Sequence, residues 1–143
     1  MAIDPGGTSG LAFRMLDGQI LTAKAQTLEQ VLDYFLGDIQ KPEQVVLEEW
    51  TYFTSHVTPE GNHTADICAA IRGVCYVLKI PLALRSPAMR IPQQKIAETW
   101  YRKAHNKKTL YKIDSHECDA LAHLLAWENL HPELQRQAFV KHK

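Results

Sequence analysis

Short apolar runs that end in turns alternate along this chain with longer stretches of helical periodicity. Met1–Asp4 is apolar before Pro5-Gly6-Gly7, which predicts a strand that ends in a turn. Leu11–Leu16 and Gln19–Ala25 flank Asp17-Gly18, a dipeptide typical of two-residue hairpin turns. The N-terminal part of the chain is therefore predicted to form a strand followed by a hairpin.

Helical periodicity occurs in several later segments. The first begins with Thr27-Leu28-Glu29-Gln30, a capping-box pattern, and stops at Gly37. Further helices are predicted over 64–79, 93–103 and 116–129. The apolar residues that share one face are Leu28, Val31, Leu32, Phe35 and Leu36 in the first helix, Ile67, Ile71, Val74 and Leu78 in the second, and Leu121, Leu124 and Leu125 in the last.

Two more apolar runs have the character of short buried strands. Gln44–Glu48 is apolar until it ends in acid, and Pro81–Leu84 follows the second predicted helix. The predicted order is β-β-β-α-β-α-β-α-α, in which a hairpin lies beside parallel strands reached through helical crossovers. We therefore predict an α/β fold with a mixed five-stranded sheet flanked by α-helices, in one domain over 1–143.

Composition narrows the class of protein. The 143 residues are 45% hydrophobic and 22% charged, which is ordinary for a globular domain. No apolar run approaches the length of a membrane span, and the N-terminus lacks a signal-peptide pattern, so we expect no membrane association. Cys68, Cys75 and Cys118 form no CxxC pair, which favours reduced thiols and a cytoplasmic location. We expect Cys68 and Cys75 to be small core residues.

Charge is balanced overall but unevenly distributed. Residues 1–78 hold ten acids and four bases, whereas 79–112 hold nine bases and one acid. Residues 113–143 return to five acids and three bases. A basic segment between acidic flanks is typical of a surface that binds a polyanion. The alternative interpretation is a solvated helix face.

Acidic residues stand where buried elements end. Asp4 closes the first predicted strand, Glu48 closes the strand at 44–48, and Asp119 lies near the start of the last helix. Ligands of open α/β sheets collect at strand ends, and a carboxylate cluster there needs cations to neutralise it. Oxygen ligands select Mg²⁺ or Mn²⁺.

His116 adds a fourth candidate to these acids. It precedes Asp119 by three residues, so both side chains leave one helix face and could reach one ion. His116 could instead move protons. Each residue also has a structural alternative: Asp4 as a turn former, Glu48 as a solvated strand end and His116 as a helix-start residue.

Four short motifs along the chain resemble those of one protein family. Ala2-Ile3-Asp4-Pro5-Gly6 resembles the opening (G/A)-I-D-P-G of that family, and Val46-Leu47-Glu48-Glu49-Trp50 resembles its fourth-strand motif. Ala70-Ile71-Arg72-Gly73-Val74 resembles the A-R-G-V stretch of its long helix. His116-Glu117-Cys118-Asp119-Ala120-Leu121-Ala122 resembles its (D/H)-x-x-D-A-L-A terminal motif. The four motifs follow in the family's order and span most of the chain, and the family that they resemble is the RuvC-type Holliday junction resolvases, which have an RNase H-like fold.

The resemblance implies a site and an activity. Asp4, Glu48, His116 and Asp119 would form the catalytic metal site, with two Mg²⁺ or Mn²⁺ ions that serve phosphodiester hydrolysis. The implied substrate is branched DNA, a four-way junction, and the implied active form is a homodimer. A two-fold pair of sites suits a junction, whose two equivalent strands are related by an approximate two-fold axis.

The resemblance also implies contacts to DNA. Arg90 and Lys95 fall where the family places basic residues near the scissile phosphate, although the stretch between them is shorter here and lacks the family's glycines. An aromatic residue follows the catalytic glutamate in the family. Trp50, Tyr52 and Phe53 compete for that base-stacking role, and we favour Tyr52 or Phe53 because they lie beyond the catalytic strand.

Three other functions remain open from the sequence. The metal site alone also fits an RNase H-like nuclease that cuts RNA, flaps or branched DNA generally. A catalytically inactive binding module on the same fold is a second alternative. The third is suggested by Ile3-Asp4-Pro5-Gly6-Gly7-Thr8, which resembles the phosphate loop of sugar kinases in the actin-like ATPase superfamily. Those kinases need two such domains and a second phosphate loop, which 143 residues do not supply.

Overall fold

A computed structural model describes residues 1–37, 41–50, 59–105 and 115–133 of the chain. The elements are β1 (Ala2–Asp4), β2 (Ser9–Arg14), β3 (Ile20–Ala25), α1 (Leu28–Leu36), β4 (Val45–Glu48), α2 (Pro59–Leu78), β5 (Leu82–Arg85), a 3-10 helix (Pro87–Gln93), α3 (Gln94–Ala104) and α4 (Ser115–Leu130). The predicted order of strands and helices is confirmed, and the 3-10 helix is the element that the pattern did not indicate. No helix of these ranges combines the length and apolar character needed to cross a membrane.

The strands form one mixed sheet in the order β3-β2-β1-β4-β5. β2 pairs antiparallel with β1 and with β3, whereas β4 pairs parallel with β1 and with β5. The prediction of a mixed five-stranded sheet is therefore confirmed. Its centre is the parallel pair β1 and β4, whose register joins Ala2 to Val46 and Ile3 to Leu47.

Side-chain alternation along the two central strands divides the core into two layers. Ile3, Val45 and Leu47 are buried against α1 and α2. Ala2 and Val46 face the other way, into a smaller cluster with α3 and α4. Helices thus cover both faces of the central strands, which is why these strands are apolar on both sides.

The cysteines belong to this core. Cys68, Cys75 and Cys118 are all buried, and none of them forms a disulfide. Burial raises the pKa of the Cys75 thiol to about 11, so it stays protonated at neutral pH. The prediction that Cys68 and Cys75 are small core residues is confirmed.

The hairpin is present, but its turn is longer than predicted. β2 ends at Arg14 and β3 begins at Ile20, and the amide of Met15 donates to the carbonyl of Gln19 at 2.9 Å. A two-residue type I′ turn needs positive φ at both central residues. Here Gly18 has a φ of 86°, while Asp17 does not lie in that region. The Asp17-Gly18 signal therefore located the turn without giving its length.

Helix α1 begins where its capping pattern predicts. The hydroxyl of Thr27 accepts a hydrogen bond from the amide of Gln30 at 3.2 Å. The side chain of Gln30 accepts from the amide of Gln26 at 2.7 Å, so the reciprocal contact is made one residue before the cap. The helix packs Val31 and Phe35 into the larger core layer.

Helix α4 lies directly on β2, and Gly10 makes that approach possible. A Cβ atom at Gly10 would overlap the backbone carbonyl of His116. Gly10 is paired with Asp4 across the β1–β2 ladder. Because α4 touches the sheet here without an intervening side chain, His116 is brought close to Asp4.

We expect Gly10→Ala to lower the free energy of unfolding by about 1–3 kcal/mol, because the added methyl group must push α4 off the sheet. Gly7→Ala is the matched control. A Cβ atom at Gly7 meets nothing within 4 Å, and Gly7 is exposed. Urea unfolding measures both variants. Equal stability of the two would contradict the close approach at Gly10.

Candidate functional site

The two strand-end acids lie on one face of the sheet. Asp4 ends β1 and Glu48 ends β4, and these strands are parallel neighbours. The register that joins Ala2 to Val46 places Asp4 beside Glu48 when it is extended by two residues along each strand. Alternation directs both acids to the side covered by α4. The predicted convergence of Asp4 and Glu48 is therefore observed.

Helix α4 adds His116 and Asp119 to this face. Nδ1 of His116 lies 2.8 Å from Oδ2 of Asp4. The carboxylate of Asp119 is near enough to Asp4 to perturb it electrostatically, as is that of Glu48. The structure thus brings together the four residues that the sequence singled out as the catalytic site.

Arg90 bridges two of these carboxylates. Nη1 of Arg90 lies 3.1 Å from Oε2 of Glu48, and Nη2 lies 3.2 Å from Oδ2 of Asp119. The other oxygen of Asp119, Oδ1, accepts a hydrogen bond from the side-chain amide (Nε2) of Gln94 at 2.8 Å. The backbone carbonyl of Pro87, in the same 3-10 helix as Arg90, accepts a hydrogen bond from the Arg90 guanidinium at 3.0 Å. A positive charge is thereby held between the acids from β4 and α4.

The sequence analysis missed His123. Its Nε2 lies 2.6 Å from Oε2 of Glu48, and its side chain is fully buried beneath the site. A signal was present, because His123 follows Asp119 by four residues and His116 by seven, which continues the same stripe along α4. Gln94 was missed as well, and nothing in its local pattern distinguishes it.

Burial and the crowding of acids raise the pKa of Asp4 to about 6. Loss of water around the carboxyl group is the largest cause, and the carboxylates of Glu48 and Asp119 act in the same direction. The hydrogen bond to His116 opposes the shift. Ionised Asp4 therefore destabilises the folded chain, and a cation bound beside it would remove this destabilisation.

The donor set fits a divalent cation in its chemistry. Carboxylate oxygens from Asp4, Glu48 and Asp119, with the imidazole of His116, are ligands suited to Mg²⁺ or Mn²⁺. As the side chains are placed, no three His, Cys, Asp or Glu groups of the described ranges stand close enough to hold an ion. The guanidinium of Arg90 contacts two of these carboxylates, Glu48 and Asp119. A bound ion would therefore replace the positive charge of Arg90 at these two acids.

Of the predicted DNA-binding residues, the structure describes Arg90 and Lys95. Arg90 lies within the acid site, and Lys95 is exposed at the start of α3. Tyr52 and Phe53 lie outside the described residues. Trp50, two residues beyond the end of β4, is 36% exposed.

Two other charged residues near the site serve local packing. Glu49 pairs with Arg72 of α2 at 2.8 Å, on the opposite side of the sheet from Glu48, as strand alternation predicts. Arg85, one of the nine bases of the basic segment, lies over the ring of Trp127 at 4.6 Å. Among the described bases of the basic segment, Lys79, Lys95 and Lys103 are exposed, whereas Arg85 and Arg90 have partners within the fold.

The raised pKa of Asp4 predicts how stability depends on pH. Because the folded state holds this proton more tightly than the unfolded chain, whose value is 3.8, stability falls as pH rises between about 4 and 6. Asp4→Asn removes that loss. We expect the variant to exceed the wild type by about 1–3 kcal/mol at pH 7 in EDTA and to match it near pH 4.

Urea unfolding between pH 4 and 7.5 measures this difference. Asp66→Asn is the control, since Asp66 is exposed on α2. It should follow the wild type at every pH. If Asp4→Asn also ran parallel to the wild type, Asp4 would not be the strained acid of the site.

Comparison with known proteins identifies the fold. No protein-family model matches the chain, and no curated protein sequence matches it. Among solved structures, the chain is similar to RuvC of Thermus thermophilus, with a TM-score of 0.52 and 20% identity over 87% of this chain and 89% of that one. A similarity at this level of identity bears on the fold alone. The mixed sheet and its flanking helices therefore have the RNase H-like fold that RuvC has.

Proposed function

We propose that this chain is a divalent-metal-dependent endonuclease that resolves four-way junctions or related branched DNA by phosphodiester hydrolysis. The observation that carries the proposal is the convergence of Asp4, Glu48, Asp119 and His116 at the ends of β1 and β4. In an open α/β sheet this is where ligands bind. The RNase H-like fold and the resemblance of the surrounding motifs to RuvC-type resolvases support the same activity.

Asp4, Glu48 and Asp119 would hold the metal, with His116 at its edge. Bound Mg²⁺ or Mn²⁺, two ions in our proposal, would activate the attacking water and stabilise the leaving oxygen of the phosphodiester. The protein contributes the placement of its carboxylates. Asp4 and Glu48 are set by adjacent strands and Asp119 by a packed helix, so their spacing is rigid.

His116 is suited to move a proton or to complete the ligand set. Its Nδ1 is bound to Asp4, which orients the ring, and 42% of its side chain is exposed toward solvent. An imidazole that is oriented by a carboxylate and open to solvent can act as a general acid or base. Its exposure distinguishes it from His123, which solvent does not reach.

Arg90 would have two tasks. Without metal, its guanidinium neutralises Glu48 and Asp119, which would otherwise repel each other. If a bound ion supplied that positive charge, Arg90 would be free to contact the scissile phosphate, and a guanidinium can bind a phosphate through two hydrogen bonds. A quarter of the Arg90 side chain is exposed, which leaves it room to turn.

Helix α3 offers a path for the DNA backbone away from the cut. It begins at Gln94, which contacts Asp119, and its outer face carries Lys95 and Lys103 around a groove of about 380 Å³. The other lining residues of the groove are Ile96, Thr99 and Trp100. Lysines along such a face suit phosphates, and binding should weaken steeply with salt. We further propose that Tyr52 or Phe53 stacks on an unpaired base at the branch point.

The decisive experiment compares cleavage of a four-way junction, a duplex, a flap and an RNA–DNA hybrid of equal sequence. We expect junction cleavage with Mg²⁺ or Mn²⁺ and none in EDTA. Asp4→Asn, Glu48→Gln and Asp119→Asn should each lower the cleavage rate at least roughly 100-fold while junction binding in EDTA stays equal or tightens, because each removes a negative charge that metal needs and phosphate avoids.

Glu49→Gln is the matched control, because Glu49 is the neighbour of Glu48 that faces away from the site. It should cut at the wild-type rate. If the hybrid or the flap were cut in preference to the junction, the chain would be an RNase H-like nuclease of another specificity. Binding without any cleavage would favour the inactive module.

We also propose that the chain acts as a homodimer in the cytoplasm, where its three buried cysteines would stay reduced. We place the contact between the two copies on the face of α2 that is turned away from the sheet. Ala69 and Gly73 are small and exposed there, and Tyr76 and Val77 are exposed by 77% and 71%. Small residues beside large apolar ones allow two copies of a helix to approach closely.

Sedimentation should therefore show a species near twice 16.3 kDa at micromolar concentration. Val77→Asp should shift this species to the monomer while the chain keeps its native secondary structure by circular dichroism, because Val77 is exposed within one chain and fills no part of its core. Ile91→Asp is the control, since Ile91 is 68% exposed in the 3-10 helix, away from α2. A wild-type monomer that still makes paired cuts would contradict the dimer.

A further inference from the structure

His123 is a fully buried imidazole beneath the site, and the reaction proposed above gives it no task. Its Nε2 lies 2.6 Å from Oε2 of Glu48, and no part of its side chain is exposed. Its other nitrogen, Nδ1, is also buried and has no hydrogen-bond partner in the described part of the chain. A polar ring at such a depth costs free energy unless its contact to Glu48 compensates for it.

Hydrogen-bond accounting assigns the tautomer of this ring. With the proton on Nε2, the ring donates to the Glu48 carboxylate, and only a lone pair is left unpaired at Nδ1. With the proton on Nδ1, a buried N–H group would lack an acceptor, and two lone pairs would face each other 2.6 Å apart. The first arrangement is therefore favoured, and His123 is the donor to Glu48.

This contact divides the two oxygens of Glu48 between different tasks. Oε2 accepts from His123 and from Arg90, at 2.6 and 3.1 Å. Oε1 accepts no hydrogen bond from the residues that the structure describes. A carboxylate held by one oxygen has its rotamer fixed, and the other oxygen remains for a ligand.

The two donors to Oε2 differ in their freedom to move. Arg90 is one quarter exposed and contacts two acids, so an incoming cation would displace its charge. His123 is enclosed between α4 and the sheet and carries no charge in the assigned tautomer, so a cation has no reason to repel it. His123 is the donor that would stay with Glu48 while metal binds.

We propose that His123 is a positioning residue that holds Glu48 in its metal-binding rotamer through Nε2. The proposal rests on the metal-dependent function proposed above and adds to it a residue outside the four predicted ones. Buried partners that orient a metal ligand commonly change metal affinity or activity by roughly 10- to 100-fold. His123 acts through Glu48 and touches no reacting atom.

The test compares His123→Gln with His123→Met. These side chains have similar length and flexibility, but only glutamine can donate to Glu48 from the position of Nε2. Mn²⁺ affinity is measured by calorimetry on the full chain without DNA, together with the rise in melting temperature that Mn²⁺ produces. We expect His123→Met to bind Mn²⁺ roughly 10-fold more weakly or worse. His123→Gln should recover most of the affinity.

Glu128→Gln is the matched control for a buried polar substitution on the same helix. Glu128 pairs with Arg14 at 2.7 Å, away from the acid site, so this variant should lose stability and keep its Mn²⁺ affinity. Junction cleavage as a function of Mn²⁺ concentration gives a second readout. The half-saturating concentration should rise for His123→Met and return toward the wild-type value for His123→Gln.

Two results would overturn the proposal. One is wild-type Mn²⁺ affinity in a folded His123→Met. The other is an equal loss of affinity in both variants, because the donor would then not be the cause. Failure of the proposed function looks different: a wild-type chain that binds Mn²⁺ but cuts no DNA removes the nuclease activity and leaves the role of His123 in metal binding intact.

Discussion

Repulsion among the carboxylates that meet at the ends of β1 and β4 is the constraint on which the arrangement of the site depends. Asp4 is buried and Glu48 and Asp119 are half-buried, so burial, with these two carboxylates beside it, raises the pKa of Asp4. Each acid has at least one compensating partner. His116 contacts Asp4, and Arg90 spans Glu48 and Asp119. The side-chain amide of Gln94 donates to the other oxygen of Asp119, and His123 contacts the same oxygen of Glu48 as Arg90 does. Grouping carboxylates in this way costs free energy, which a purely structural role does not call for but a metal site does.

Helix α4 carries two of these partners, His116 and His123, as well as the acid Asp119, so the site depends on how this helix packs on the sheet. Near its N-terminus it rests on Gly10, where any side chain would overlap its backbone. Near its C-terminus, Glu128 binds Arg14 of β2 through both carboxylate oxygens at 2.7 Å. At the same N-terminal end, the buried carboxylate of Glu117 accepts from the hydroxyl of Tyr101 of α3 at 2.7 Å. A helix tied at both ends holds His116, Asp119 and His123 in fixed register.

The partners of the acids differ in mobility, and that difference organises the proposed chemistry. His123 has no exposed surface, and Arg90 and His116 are exposed by 25% and 42% of their side chains. The buried contact can only orient its carboxylate. The exposed ones can exchange with solvent, with a cation or with a phosphate. One oxygen of Glu48 thus has two partners of different kinds: His123, which is buried and stays in place, and Arg90, which a cation could replace.

The sequence alone determined the elements, the mixed sheet and the set of four convergent residues. Period-2 and period-3.6 apolar patterns are local, so they identify strands and helices, and the motifs that resemble RuvC-type resolvases selected the four residues. That Asp4 and Glu48 share one face of the sheet was decided by the pairing of β1 with β4. The tertiary structure alone decided the length of the Asp17-Gly18 turn, the close approach at Gly10 and the contacts of Gln94, Arg90 and His123. These depend on which distant groups meet, and His123 is 75 residues from Glu48 in the chain. A pattern within one helix can align His116, Asp119 and His123, but only packing on the sheet decides which carboxylate each one meets.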